Sequence, residues 1–264
     1  IPQPASTNFA RRVITIVLAV VAGASAAACQ NDGYDLRHSP LEVRAQGVGT
    51  IGIATHDRRP YVRQLDRTPA FVGFALAEGN ATADYTTASG LPLADEFNRS
   101  MARALTSRGF DSQPVVVDAI DRDEQALRKL RGLGARTSVF VTMRDWKFIT
   151  TASHTKLYFD LTLTVLDRDG TVKATKTEAG EEDLGAAPAG STQVDTIKYV
   201  RTAMVDASRR KLEALLNDPA VTAALASLGR NGVPVYAIYK NGQPPQVLTE
   251  VLSVDEVRAA LARL

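Results

Sequence analysis

Few residues in this 264-residue chain are placed to do chemistry. It contains one cysteine, Cys29, and three histidines, His38, His56 and His154. A lone thiol makes no internal disulfide and no C-x-x-C redox pair, and it is too little soft-ligand chemistry for a zinc site. The histidines are scattered, without H-x-x-x-H or E-x-x-H spacing, so no metal site is expected. No G-x-S-x-G, Walker A or dinucleotide fingerprint occurs. Asp57, Arg58 and Arg59 form a compact charged cluster. It has the groups to hold a ligand, but a local ion pair or a solvated loop accounts for it without one. Trp146 and Phe148 are two apart in a strand-like run and are expected to pack in the sheet rather than to form a ligand platform. No catalytic residue, metal ligand or cofactor is assigned.

Cys29 gains meaning from what precedes it. Arg11 and Arg12 form a short basic region, and residues 13–28 carry no charge and shrink from Val, Ile and Leu to Ala, Gly and Ser. Those are the parts of a secretory signal peptide. A buried or membrane-anchoring helix is the alternative, but the run is shorter and weaker than the ~20 apolar residues of a spanning helix. The stretch "SAAAC", ending Ala26-Ala27-Ala28-Cys29, resembles a bacterial lipobox. That resemblance implies cleavage before Cys29, a diacylglycerol on its thiol, and acylation of the new amino group by a fatty acid such as palmitate. Ala26 stands where leucine is commonest. Ala26-Ala27-Ala28 also satisfies the A-x-A rule of ordinary signal peptidase, which leaves Cys29 as an unmodified N-terminus. By resemblance to enteric lipoproteins, Gln30 implies release to the outer membrane. Residues 1–28 are therefore expected as signal peptide. Residues 29–47, polar and without sustained periodicity, are expected as a lipidated tether.

Beyond the leader the composition is ordinary, with 45% hydrophobic and 23% charged residues. A net charge of +2 from 31 basic and 29 acidic residues lacks the basic footprint of a nucleic-acid binder. "VGTIGIATHD" over residues 48–57, with Ile51 and Ile53 alternating, reads as a strand. Leu93, Phe97, Met101 and Leu105 recur every fourth residue, with Asp95 and Glu96 in the first turn and Gly109 as a stop, which predicts a helix. "PVVVDAI" from Pro114 reads as a short buried strand, and Asp121 as the cap of a brief helix carrying Leu127 and Leu130 and ending near Gly132. Leu157, Phe159, Leu161, Leu163 and Val165 alternate with Tyr158, Asp160, Thr162 and Thr164, which predicts an antiparallel strand covered on one side. Val139, Val141 and Met143 give its neighbour, and a third strand is expected around Val172. A loop is expected over 180–190, then a long helix with Ile197, Val200, Met204, Ala207, Leu212 and Leu215 inward. The class is α/β: a two-layer sandwich of a mostly antiparallel or mixed sheet with helices on one face.

Residues 48–225 resemble the YajG-like family of bacterial lipoproteins. The features that carry this are the early strand leading to Asp57, the "FVG" at Phe71 to Gly73, "PLADEFNRSMARALTSRGF", the two long strands, and the helix running into "LNDPAV". The resemblance implies an outer-membrane-associated lipoprotein facing the periplasm, and no reaction. From Asn217 to the end, "GVP" at Gly232 to Pro234, strands about Val235 to Tyr239 and Gln246 to Val251, and a closing helix resemble the second half of the thioredoxin-like domain of the DsbD thiol:disulfide interchange family. That implies a cis Pro234 and, over residues 226–264, a β-hairpin–helix equal to half a thioredoxin fold; an ordinary trans proline is the other reading. The expected role is a lipid-anchored envelope accessory that binds or supports, with no catalysis. Its expected partners are membrane lipid and an unidentified envelope protein, with no nucleic acid. The alternative, a periplasmic thiol:disulfide interchange component, lacks the cysteine pair it needs.

Overall fold

The alternation in the middle of the chain builds the sheet. The computed structural model describes residues 34–76, 82–151, 154–227, 237–238, 246–247 and 258. β5 (Thr137–Thr150), β6 (Thr155–Asp167) and β7 (Val172–Asp183) run as an antiparallel meander. Leu157, Leu161, Leu163 and Val165 are fully buried on one face of β6, while Tyr158, Asp160, Thr162 and Thr164 are only partly covered.

β5 is long enough to serve two strands in tandem along its other edge. β1 (Thr50–Asp57) lies parallel to its first half, Ile51 opposite Thr137 through Asp57 opposite Met143. β2 (Phe71–Leu76) lies parallel to its end, Gly73 opposite Phe148. β3 (Thr82–Thr86) then adds antiparallel to β2, and β4 (Asp111–Pro114) parallel to β1. The sheet thus forks at β5, and the short helix α1 (Pro60–Arg63) connects the two branches. Gly73 is required where β2 meets β5: a Cβ there would overlap the backbone of Phe148.

One face of this seven-stranded mixed sheet carries α2 (Leu93–Thr106), α4 (Gln193–Leu216) and α5 (Pro219–Ala226). Phe97 and Met101 of α2 and Leu212 and Leu215 of α4 share a core with Trp146, Phe148 and Leu161. This is the expected two-layer α/β sandwich. The nine-residue α3 (Asp123–Arg131) covers a small patch of the opposite face, where Ala126 and Leu130 meet Ala54, Phe140 and Leu166. Gly109, at φ 99°, follows the last turn of α2 as expected.

Residues 34–47 are not a tether. Tyr34, Leu36, Leu41, Val43 and Ala45 are all buried in the main core. Tyr34 continues the sheet beyond β3, giving its N–H to Thr86 and taking that of Ala88. Side chains of α4 and its cap bind the backbone of Glu42 and Arg44: Glu42 N–H to Glu213 at 2.9 Å, Arg44 N–H to Asn217 at 2.8 Å, and Asn217 Nδ2 to Glu42 O at 2.7 Å. The folded unit therefore begins at or before Tyr34 rather than at Val48.

Smaller expectations also change. The strand before Pro114 is β4, and "VVV" beyond it is irregular, with Val116 61% exposed and Val117 buried. Arg122, not Asp121, is the N-cap of α3; the Asp121 carboxylate takes the Asp118 N–H and pairs with Lys129 at 2.6 Å. β7 continues to Asp183, into the expected loop. Val194 and Ile197 are 74% and 42% exposed, because the first turns of α4 project past the core. In the C-terminal stretch, β8 (Ala237–Ile238) and β9 (Gln246–Val247) pair antiparallel within the two expected strands. Pro234 lies outside the described residues.

Candidate functional site

The fork in the sheet is filled by a buried charged pair. β1 ends at Asp57 while β2 begins farther along β5, so the edge of β5 between them has carbonyls without a strand to pair them. Arg59 fills that place. Its guanidinium is fully buried and grips the buried Asp57 carboxylate with two bonds, Nε to Oδ1 at 2.9 Å and Nη2 to Oδ2 at 2.7 Å. The remaining donors reach Phe71 O at 2.7 Å, Trp146 O at 3.3 Å and Pro69 O at 3.2 Å. A planar fork of five donors suits this task, which a lysine ammonium does not match. The expected local ion pair is there, but it is a core element rather than a solvated loop. Its donors are taken by backbone, so it is not an open ligand site.

Beside it, Tyr61 of α1 accepts the Trp146 N–H, and its hydroxyl lies 2.9 Å from Trp146 O and 3.1 Å from Asp145 Oδ1. Burial pushes its pKa far up, so it acts as a neutral donor. Lys147 pairs with Asp145 at 2.6 Å and lies against the rings of Tyr61 and Tyr158. Arg67 stacks over Phe71 at 5.4 Å and faces Asp84 at 3.5 Å. Together Tyr61, Phe71, Phe74, Arg67, Lys147 and Asp66 line a groove of ≈ 330 Å³. Its aromatic floor suits a flat apolar group, while both flanking cations are already paired with carboxylates and Asp66 adds an acidic group to the wall. Sequence reading missed the groove because its residues come from α1, the loop after it, β2 and β5; the signal available was the run of aromatic and basic residues over 61–74.

His56, at the end of β1, is fully buried. Its Nε2 lies 3.1 Å from the Asp121 carbonyl. Its Nδ1 lies 3.2 Å from Asp123 Oδ1, off the line of a hydrogen bond, and Arg58 pairs with the same carboxylate. Burial holds its pKa below the usual 6.5, against the pull of Asp123. The unfolded chain therefore binds a proton on this ring more readily than the folded chain. Its contribution is fully present above pH 6.5 and is lost as pH falls through the lowered folded value. Thermal melts should show a fall in Tm from pH 7.5 to 5.5, and His56→Gln should flatten that slope. An unchanged slope in the variant would exclude His56 as its source.

Trp146 and Phe148 are buried, packed edge-on at 5.9 Å between ring centres, as core residues. His38 and His154 lie far apart in the chain, each beside an aspartate, Asp35 and Asp183. No cluster of three metal-ligating side chains occurs among the described residues. Cys29 lies outside them. None of the described helices is long and apolar enough to cross a membrane.

No family model matches the chain, and no curated protein matches it. Among solved structures, it is similar to protein XCC0632 of Xanthomonas campestris, of family DUF330, at 12% identity over 71% of this chain and 94% of that one, with a TM-score of 0.45. It is also similar to protein CT253 of Chlamydia trachomatis, at 12% identity over 65% and 98% with TM-score 0.34, and to the lipoprotein GNA1162 of Neisseria meningitidis, at 10% over 61% and 99% with TM-score 0.22. At such identities and scores no property of theirs passes to this chain. None of these matches supports the thioredoxin-like resemblance of the C-terminal residues.

Proposed function

We propose that this chain is a bacterial cell-envelope lipoprotein, anchored through Cys29 in the outer membrane and facing the periplasm, with a binding or supporting role and no catalysis of its own. The observation that carries this is the leader: a basic pair, an uncharged run and three alanines end on the chain's single cysteine. The fold adds a constraint. Packing begins by Tyr34, five residues after Cys29, which limits the gap between anchor and domain to at most ~18 Å. A lipidated domain on so short a lead stays at the membrane surface. The charged residues best placed for chemistry, Asp57 and Arg59, are bound to each other and to backbone, which supports a recognition role over a catalytic one. Thiol–disulfide exchange needs a second thiol, and the sequence has one.

The test is expression in a bacterium behind a start codon, with a labelled fatty acid. The protein should take up label and partition into the detergent phase, and Cys29→Ser should lose the label. A labelled Cys29→Ser variant, or an unlabelled parent in the aqueous phase, would contradict the anchor.

A further inference from the structure

β7 has an unpaired edge. Among the described residues β6 is its only ladder partner, so its outer edge presents a row of free N–H and C=O groups. The opposite margin of the sheet ends instead in the short strands β3 and β4. Charge on an edge strand ordinarily discourages pairing with other chains. Along β7, however, the charge is ordered: Lys173 and Lys176 lie in the first half, and Glu178, Glu181, Glu182 and Asp183 in the second. Lys176 and Glu178 share the face of the buried Ala174 and pair with each other at 3.1 Å, while Lys173, Thr177 and Glu181 lie exposed on the other, Lys173 beside Asp167 and Glu181 beside Lys156, so contacts across the axis would extend these pairs rather than fill empty places. Small residues, Ala179 and Gly180, add no bulk there.

We propose that β7 pairs antiparallel with β7 of a second copy of this chain, about a twofold axis at Thr177, to make one sheet across two subunits. In that register Lys176 faces Glu178 of the partner subunit, Lys173 faces Glu181 of the partner subunit, and each pair occurs twice. Opposite charges directly across strands are favourable and like charges are not. A parallel pairing in register sets lysine against lysine. Moving the axis by one residue sets Lys176 or Glu178 against its own copy. The charge order thus selects one arrangement, and twofold symmetry makes it self-limiting.

The register is read by crosslinking the full chain. The axis brings the two copies of residue 177 to about 4.5–5.5 Å between Cα atoms, within disulfide reach. Residue 175 lies ~13 Å from its copy, outside it. Mild oxidation should link Thr177→Cys into a covalent dimer, above any background from the parent's Cys29, and should leave Thr175→Cys unlinked. Adding Lys176→Glu to Thr177→Cys should abolish the link, and adding Glu178→Lys as well should restore it, with thermal melts to show that each variant is folded. No dimer, equal linking at 175 and 177, or a link that survives Lys176→Glu in a folded variant would overturn the proposal.

Discussion

Arg59→Ala is expected to lower stability by about 3–5 kcal/mol, the usual cost of removing one partner from a buried ion pair. The Asp57 carboxyl would be left buried without its partner, the carbonyls of Pro69 and Phe71 would lose the guanidinium, and Trp146 O would keep only the Tyr61 hydroxyl. For a folded unit of this size, that corresponds to a fall in Tm of roughly 6–20 °C. Arg59→Lys should recover only part of it, because one ammonium cannot serve a bidentate carboxylate and three carbonyls. Arg58→Ala, one residue away, removes a partly exposed pair with Asp123 and should change stability by less than ~1 kcal/mol. Thermal melts of the three variants decide it. Equal small effects at 58 and 59 would mean that Arg59 does not hold the fork together.

Leu161→Asp should prevent folding. Leu161 is fully buried at the centre of β6, and a lone carboxylate there costs several kcal/mol against a total of about 5–15 kcal/mol. Thr162 points to the other face, where its hydroxyl accepts from Arg144 at 3.0 Å and lies 3.0 Å from that of Thr177. Thr162→Asp places a carboxylate beside that guanidinium and should be tolerated. Circular dichroism and soluble yield read the contrast, and comparable losses in both would contradict the period-two assignment.

The β6 alternation was legible because its sheet face has only one cover, so burial switches at every residue. The stripe of α2 was legible for the same reason at helical spacing. Residues 34–45 were not, although Leu41, Val43 and Ala45 alternate. The polar "RHSP" at 37–40 interrupts the pattern, and the backbone partners are side chains of Glu213 and Asn217, far along the chain. The role of Arg59 was hidden more deeply. Asp57 and Arg59, two apart at the end of a strand, read as an ordinary surface pair. Their burial follows from β5 receiving β1 and β2 in tandem, a non-local event. The "VVV" at 115–117 misled because β-branched residues suggest a buried strand, while pairing ends at Pro114, past which only Val115 reaches the β1 backbone.

Cys29 as lipid anchor, and a domain packed from Tyr34 onward, together place this protein at a membrane surface in the proposed reading. The most direct measurement is the mass of the N-terminal peptide of the mature protein purified from bacterial membranes. The expected tryptic peptide begins at Cys29 and ends at Arg37, heavier than its sequence by a diacylglycerol and an amide-linked acyl chain. The same peptide with an unmodified cysteine, or one that still carries leader residues before Cys29, would contradict it.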